Sequence, residues 1–342
     1  MDLLAALPPG ARVALIRLRS LGDSLLTTPA LAALKRWRGD LRLGFVVESE
    51  WAPVLEGNPD IDTIIPLPAS LTGRWRGVAA LRRFDAELAI NLHGGSTATL
   101  LTLASGARWR VGFAGQPYAR LHRVAVPPTP PPPGRPRWHT VEHVASLFHH
   151  IGLPPASLGP LRIFPSAESR AAILRRLAAC GVRPPFAYIN ATPRSPDMQW
   201  PAEYYREALS WLGREHGFAA VFARASRSPG VEERLVAALP PGRAALLVGT
   251  DVRDLIALEA ESTLVLGSDG GPIHIAAALA KPVVVLFGPS DAVVWRPWQT
   301  PCRVLQASLG AGLDSIAVPQ VTNAITALLA AARRESASTS CH

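Results

Sequence analysis

A chain of 342 residues, 48% hydrophobic and 18% charged, is too long for one ordinary domain and ample for two, each with its own buried core. Its three cysteines, Cys180, Cys302 and Cys341, lie far apart with no Cys-x-x-Cys or Cys/His spacing, which argues against a disulfide framework or a zinc site and fits a reducing cytoplasm. The net charge of +9 is uneven: residues 1–165 hold 18 Lys+Arg against 11 Asp+Glu, whereas residues 166–342 hold 17 against 15.

Nearly all of that excess is arginine, whose fork suits phosphates and carboxylates. An anionic acceptor or a membrane surface therefore suits the first half, although an ordinary arginine-rich solvated surface would give the same count. No basic stripe carries interleaved aromatics, so nucleic acid is not an expected partner. No apolar run reaches the ~20 residues of a membrane span. The start MDLLAALPPGARVALIRLRS lacks a basic leader and a cleavage site, so no signal peptide is expected.

In chain order, Val13–Leu18 reads as a buried strand, and Ser20-Leu-Gly-Asp23 breaks it. Residues 24–37 show helical spacing at Leu25, Leu26, Ala30, Leu31 and Leu34. Leu41–Val47 is the next strand, followed by a helical segment around Trp51–Leu55, a short strand at Ile61–Leu67, and a strand at Glu87–Leu92 that ends in His93-Gly94-Gly95. The stretch PPTPPPPGRPR over 127–137 must be an extended loop. Thr140–Ile151 reads as a helix crossing toward the second half, and Pro154, Pro155, Pro160 and Pro165 mark a linker. The expected domains are 1–155 and 156–334, with a disordered Ser/Thr-rich tail at 335–342.

The second half repeats the alternation: strands at Phe186–Asn190, Ala219–Ala223, Thr263–Gly267 and Pro282–Phe287, and helices at Ala202–Glu215, Gly230–Leu239, Asp254–Ala260, Pro272–Leu279 and Val318–Arg334. Strands alternating with helices imply βαβ units and parallel sheets, so the fold class is α/β with two Rossmann-like domains.

Three stretches carry chemistry. Gly267-Ser-Asp-Gly-Gly-Pro-Ile-His274 reads strand, glycine turn, helix. Gly270 and Gly271 allow a sharp turn and close approach of a ligand, Pro272 suits a first helical turn, and the helix end offers free N–H groups to a pyrophosphate. His274 adds a hydrogen-bonding group there, and Asp269 either holds a ribose hydroxyl or simply caps the helix. Arg17-Leu-Arg-Ser-Leu-Gly-Asp23 follows the first strand, at the edge where α/β sheets bind ligands, so Asp23 is either a general base or a helix cap. Asn190-Ala-Thr-Pro-Arg-Ser195 offers Thr192, Arg194 and Ser195 to phosphate, or is a plain loop. No Gly-x-Gly-x-x-Gly follows the first strand, which counts against a dinucleotide oxidoreductase. His139, His143, His149 and His150 lack a carboxylate ladder, so no metal site is expected.

Together these stretches resemble the ADP-heptose:lipopolysaccharide heptosyltransferase family, glycosyltransferase family 9. The resemblance rests on the Asp23 segment with Thr27-Thr-Pro-Ala30, on Leu55–Asp62, Asn91–Gly94, Arg110–Phe113 and Gln199-Trp-Pro201, and above all on Ser268–Ala278 through Phe287-Gly-Pro-Ser290. It implies a GT-B fold, two Rossmann-like domains facing across a cleft, with acceptor on the first and donor nucleotide on the second. It implies an inverting, metal-independent transfer with no cofactor beyond the ADP-sugar. Asp23 matches the proposed catalytic base. Thr192, Arg194, Asp269, Gly270, Gly271 and His274 fall in the donor site, and Arg19, Ser20, His93 and Gly94 in the acceptor site. The expected partners are a nucleotide-sugar and an anionic glycolipid or glycan, acted on by a cytoplasmic monomer at the inner face of the membrane. Two departures stand out. Met198 occupies the position where the family carries a phosphate-binding lysine, for which Arg194 is a substitute. Ala223–Gly230 replaces a glycine-rich turn with an acidic ribose contact, where Arg224 and Arg227 offer charge to a diphosphate instead. The competing expectations are a non-catalytic nucleotide-sugar binder of the same fold and a transferase for a different acceptor.

Overall fold

The structure is a computed structural model that describes residues 2–131, 133–192, 198–226, 228, 230–308 and 310–339. The chain divides into two compact units, Met1–Phe164 and Pro165–His342.

In the first unit the elements run β1 (Arg12–Ile16), α1 (Leu21–Trp37), β2 (Arg42–Glu48), β3 (Thr63–Leu67), α2 (Leu71–Phe84), β4 (Leu88–Asn91), α3 (Gly95–Ala104), β5 (Trp109–Phe113), β6 (Val124–Val126) and α4 (Thr140–His150). All six strands are parallel, in the order β3-β2-β1-β4-β5-β6. Central β1 and β4 are apolar runs buried along nearly their whole length, as a sheet covered on both faces requires. Ala14 and Ile16 pack with Leu81, Ala98 and Leu101 of α2 and α3. Val13 and Leu15 face the other way, and α1 packs against α4.

The second unit runs α5 (Ala167–Ala179), β7 (Phe186–Asn190), α6 (Ala202–His216), β8 (Ala219–Arg224), α7 (Val231–Ala237), β9 (Ala244–Val248), α8 (Val252–Glu261), β10 (Leu264–Ser268), α9 (Gly271–Ala278), β11 (Val283–Phe287), α10 (Ala292–Trp295), β12 (Cys302–Gln306) and α11 (Val318–Thr339). Its parallel sheet has the order β12-β11-β10-β7-β8-β9, the first unit's order read from the other edge. One face is covered by α6 and α11 around Trp200 and Tyr205, the other by α5, α8 and α9 around Ile173, Ala257 and Ile273.

Two sequence boundaries move. Residues 156–164, placed beyond the first boundary, are held on the first unit: Arg162 N–H donates to Thr28 Oγ1 at 3.0 Å, its guanidinium pairs with Asp60, and Arg36 reaches the Ser157 carbonyl at 3.2 Å. The helix at 140–151 stays in the first unit, packed on α1. The closing helix runs to Thr339 rather than stopping at 334, because Glu335-Ser-Ala-Ser-Thr339 contains neither glycine nor proline to end it. Residues 340–342 of the expected tail lie outside the described residues.

Candidate active site

In both sheets the strand order reverses between the first and fourth strands, β1/β4 and β7/β10. Open α/β sheets bind ligands beyond the carboxyl ends of strands at such a reversal, and both reversals carry the residues singled out above.

In the first unit, β1 ends at Ile16 and the chain turns through Arg17–Ser20 into α1. Ser20 is the helix N-cap, and Asp23 sits three residues on. One Asp23 oxygen accepts from the Ser20 N–H at 3.0 Å and its hydroxyl at 3.3 Å; the other pairs with the Arg17 guanidinium. Asp23 therefore stabilises the helix start, yet its side chain keeps 23% of its surface exposed, so the carboxylate is still reachable. Arg17 also donates to the Leu92 carbonyl just past β4, which ties the two strand ends together.

Asn91 fixes the turn after β4 by accepting from His93 N–H at 3.1 Å and Gly94 N–H at 2.8 Å. Gly94 and Gly95 both have φ 74°, the left-handed region that glycine tolerates. His93 hydrogen-bonds the Arg19 backbone, and its pKa falls below the usual imidazole value because of burial first, then the Arg17 and Arg19 charges, against the pull of Asp23. His143, from α4, stacks on Phe113 at 4.4 Å, and its pKa is also lowered, by burial and then by Arg17. Of the expected acceptor residues, Ser20 hydrogen-bonds Asp23 and His93 feels its charge, while Arg19 lies 3.9 Å from Glu48 and Gly94 is held by Asn91. Arg17 and His143 join them unforeseen; Arg17 stood in the quoted motif, but only the fold shows that it bridges both strand ends. The other linker histidines have separate work. His139 accepts from Val141 N–H at 3.2 Å, and His149 lies 2.9 Å from the Leu153 carbonyl.

In the second unit, β10 leads through Asp269 into α9, whose N-cap is Gly270 with no side-chain cap. The N-cap position is thus one residue past Asp269. Gly270 has φ 171°, extended backbone open to any residue, so the sharp turn expected of it is not the reason for its lack of a side chain. A Cβ built there would make ordinary contact with Pro272 Cδ at 3.8 Å and with Asn190 Nδ2 and the Ser268 carbonyl at 3.9 Å, so a methyl group fits there. His274 is 4% exposed inside the first turn of α9. Beyond β11 and β12 a hollow of about 550 Å³ opens, lined by the Gly288-Pro-Ser-Asp291 segment and Gln306.

Past β7, the Thr192 hydroxyl donates to Glu232 of α7, which is 2% exposed. The far oxygen of Glu232 lies 3.4 Å from Arg224, whose guanidinium also grips Glu233 and holds that carboxyl down at about 2. The sequence offered Arg224 to a diphosphate. The structure gives it to two carboxylates instead, because Arg224 ends β8 directly beside the start of α7. Glu232 was not foreseen, since nothing in Ser-Pro-Gly-Val-Glu-Glu marks which glutamate turns inward. Met198 is 7% exposed, and its carbonyl accepts from Ser268 Oγ at 2.9 Å, so no cation replaces the expected lysine at that position. Trp200 anchors the loop end, donating to the Ile316 carbonyl at 2.9 Å. Arg194, Ser195 and Arg227 lie outside the described residues.

A family model, glycosyltransferase family 9 (heptosyltransferase), matches residues 74–314, well over half the chain. The chain belongs to glycosyltransferase family 9. It is a glycosyltransferase, and its two parallel six-stranded units are the α/β, GT-B-like architecture of the family. Lipopolysaccharide heptosyltransferase 3 of Escherichia coli K12 is 26% identical over 288 residues, covering 81% of this chain and 82% of its own length. Lipopolysaccharide heptosyltransferase 1 of Salmonella typhimurium is 25% identical over 306 residues, covering 82% and 89%. Among solved structures, a family 9 glycosyltransferase from Veillonella parvula superposes with a TM-score of 0.84 at 22% identity, covering 96% of this chain and 98% of its own. An E. coli heptosyltransferase solved with ADP gives 0.70 at 22% identity, covering 91% and 96%.

Proposed function

We propose that this family 9 glycosyltransferase moves a heptose from an ADP-sugar to a hydroxyl of a lipopolysaccharide core or related anionic glycan, with inversion and without a metal. The observation that carries the reading is the start of α9 at a strand reversal, where Gly270 at the N-cap presents backbone and no side chain of its own. In support, relatives of 25–26% identity are named lipopolysaccharide heptosyltransferases, and a structural neighbour was solved with ADP-2-deoxy-2-fluoro heptose.

In this reading the donor diphosphate rests against α9, and the buried Glu232 is the acidic group that meets the ribose. The acceptor hydroxyl gives its proton to Asp23, while its oxygen attacks the anomeric carbon on the face opposite the diphosphate. The bond from that carbon to the diphosphate oxygen breaks, and ADP leaves with the electron pair. The helix end stabilises the charge that grows on it. Arg17 keeps the Asp23 carboxylate aimed, and with Arg19 it offers positive charge to an anionic acceptor. The helix end and the Arg194 loop do the neutralising work that a metal does elsewhere, so turnover survives chelation. The enzyme works as a cytoplasmic monomer at the inner membrane face.

A thermal-shift panel of ADP-, UDP- and GDP-sugars tests the donor. ADP-heptose at about 100 times its Kd should stabilise the fold by about 2.7 kcal/mol, with no matching shift from the UDP or GDP sugars. Equal shifts from all three, or none from ADP-heptose, contradict the reading.

A further inference from the structure

The last two residues of Arg110-Val-Gly-Phe113 each receive a histidine. Phe113 stacks on His143 at 4.4 Å. At Gly112 a Cβ would meet Cδ2 and Nε2 of the His122 ring at 2.6 Å, so only a residue without a side chain lets that imidazole come so close to β5. His122 is 7% exposed, and its Nε2 lies 3.5 Å from Nδ2 of Asn91 at the end of β4.

The surroundings of the wholly buried Asn91 amide fix the roles in that contact. Asn91 Oδ1 accepts from the N–H groups of His93 and Gly94, so the oxygen faces the turn and Nδ2 faces away from it. One Nδ2 proton has Thr99 Oγ1 at 3.4 Å, and the hydroxyl sends its own proton to the Gly95 carbonyl at 2.8 Å. The second has His122 Nε2. An amide nitrogen only donates, so Nε2 must carry a lone pair and the ring proton must sit on Nδ1. His122 Nδ1 is buried and meets no hydrogen-bond partner among the described residues, so no bond made by Nδ1 selects this tautomer; the Asn91 contact does. Burial, and then the charge of Arg110 on β5, lower the pKa of the ring and keep it neutral. The groups it meets from β4 and α3, Asn91 and Thr99, are uncharged.

The turn that Asn91 holds is joined to Asp23 twice. The Leu92 carbonyl accepts from Arg17, which pairs with Asp23, and His93 hydrogen-bonds the Arg19 backbone beside it. We propose that His122 is a positioning residue for the Asp23 site: its bare Nε2 locks the Asn91 amide in the one orientation that fixes the Leu92–His93 turn, and that turn aims Arg17 at Asp23. A buried polar group that sets the orientation of another acts on the reaction through placement, without touching substrate. The effect on turnover rests on the reading of Asp23 as the base; the tautomer of His122 does not.

Two measurements on the full chain test it. Nitrogen NMR of the imidazole rings at neutral pH should show His122 with Nε2 bare and the proton on Nδ1. A proton on Nε2 overturns the proposal, whatever the enzyme transfers. The second is release of ADP from ADP-heptose with a lipopolysaccharide-core acceptor. His122→Phe keeps a ring but offers no acceptor, so kcat should fall about tenfold, the size of one buried hydrogen bond, with the KM for ADP-heptose unchanged. His122→Gln, whose amide oxygen can stand where Nε2 stood, should restore most of that loss. A folded His122→Phe variant that turns over like wild type, or a His122→Gln variant that falls as far as His122→Phe, also overturns it. If the wild-type chain transfers no heptose, the functional reading fails; in that case, or if His122→Phe does not fold, the tautomer still decides the proposal.

Discussion

Glu232 takes the Thr192 hydroxyl on one oxygen and faces Arg224 with the other, from a position that is 2% exposed. If it meets the donor ribose, Glu232→Gln should raise the Kd for the ADP-sugar on the order of tenfold, the loss of one charge-assisted hydrogen bond, and lower Tm by only a few degrees. Isothermal calorimetry beside a melting curve separates the two effects. Gly270 gives a cleaner probe. Gly270→Ala costs about 1 kcal/mol as a poorer N-cap and regains part of that through a stiffer unfolded chain. Its Cβ meets no atom closer than 3.8 Å, so the fold survives. A diphosphate packed on the backbone would not tolerate the methyl, and donor affinity should fall tenfold or more. Unchanged affinity would move the donor away from α9. Asp23, His93 and Asp269 could be singled out as candidates because each follows a readable strand. Glu232 was not, because its role depends on α7 turning one of two adjacent glutamates toward Thr192.

At the scale of elements, most of the strands that could be read lie in the middle of each sheet, with edge strand β3 read as well. β1, β2, β4, β7, β8, β10 and β11 are near-continuous apolar runs because helices cover both their faces. β5, β6, β9 and β12 went unread: β6, β9 and β12 are edge strands, the half-buried pattern of β12 gives no run to detect, and interior β5 opens on Trp109-Arg110 and has only three buried residues. β3 is also an edge, which is why it accommodates Pro66. Helix α2 was missed because glycines fill two of its buried positions while Leu71 and Trp75 face outward, which blurs the apolar stripe formed by Val78, Leu81 and Phe84. Between α8 and α9, Glu259 is wholly buried, and its pKa is raised well above the usual carboxyl value by that burial, against a backbone hydrogen bond and Lys281. The folded state holds a proton that the unfolded chain releases above about 4.5, so this group's contribution to stability is lost as pH rises past that point. Glu259→Gln should therefore gain Tm relative to wild type between pH 5 and pH 8, measured by calorimetry. A constant difference would contradict buried protonation.

At the scale of the molecule, one strand order serves both units, and each carries its candidate residues at its own reversal. The charge asymmetry belongs to the first unit, where arginines surround Asp23 and line α2. Three histidines of that unit, His93, His122 and His143, have lowered pKa values, in each case chiefly through burial. The unfolded chain then takes up protons first as pH falls below about 6.5. Their contribution to stability should be fully present above that pH and decline toward pH 5, and His122→Asn should flatten that decline in a pH series of melting curves. The Asp23 carboxylate, held by Arg17 and Ser20 but still accessible, is the centre of the account. The most direct test is turnover of ADP-heptose by Asp23→Asn beside its affinity for ADP. The account predicts a loss of at least about a hundredfold in kcat, as for removal of a general base, with the Kd for ADP unchanged. Turnover close to wild type in that variant would contradict it.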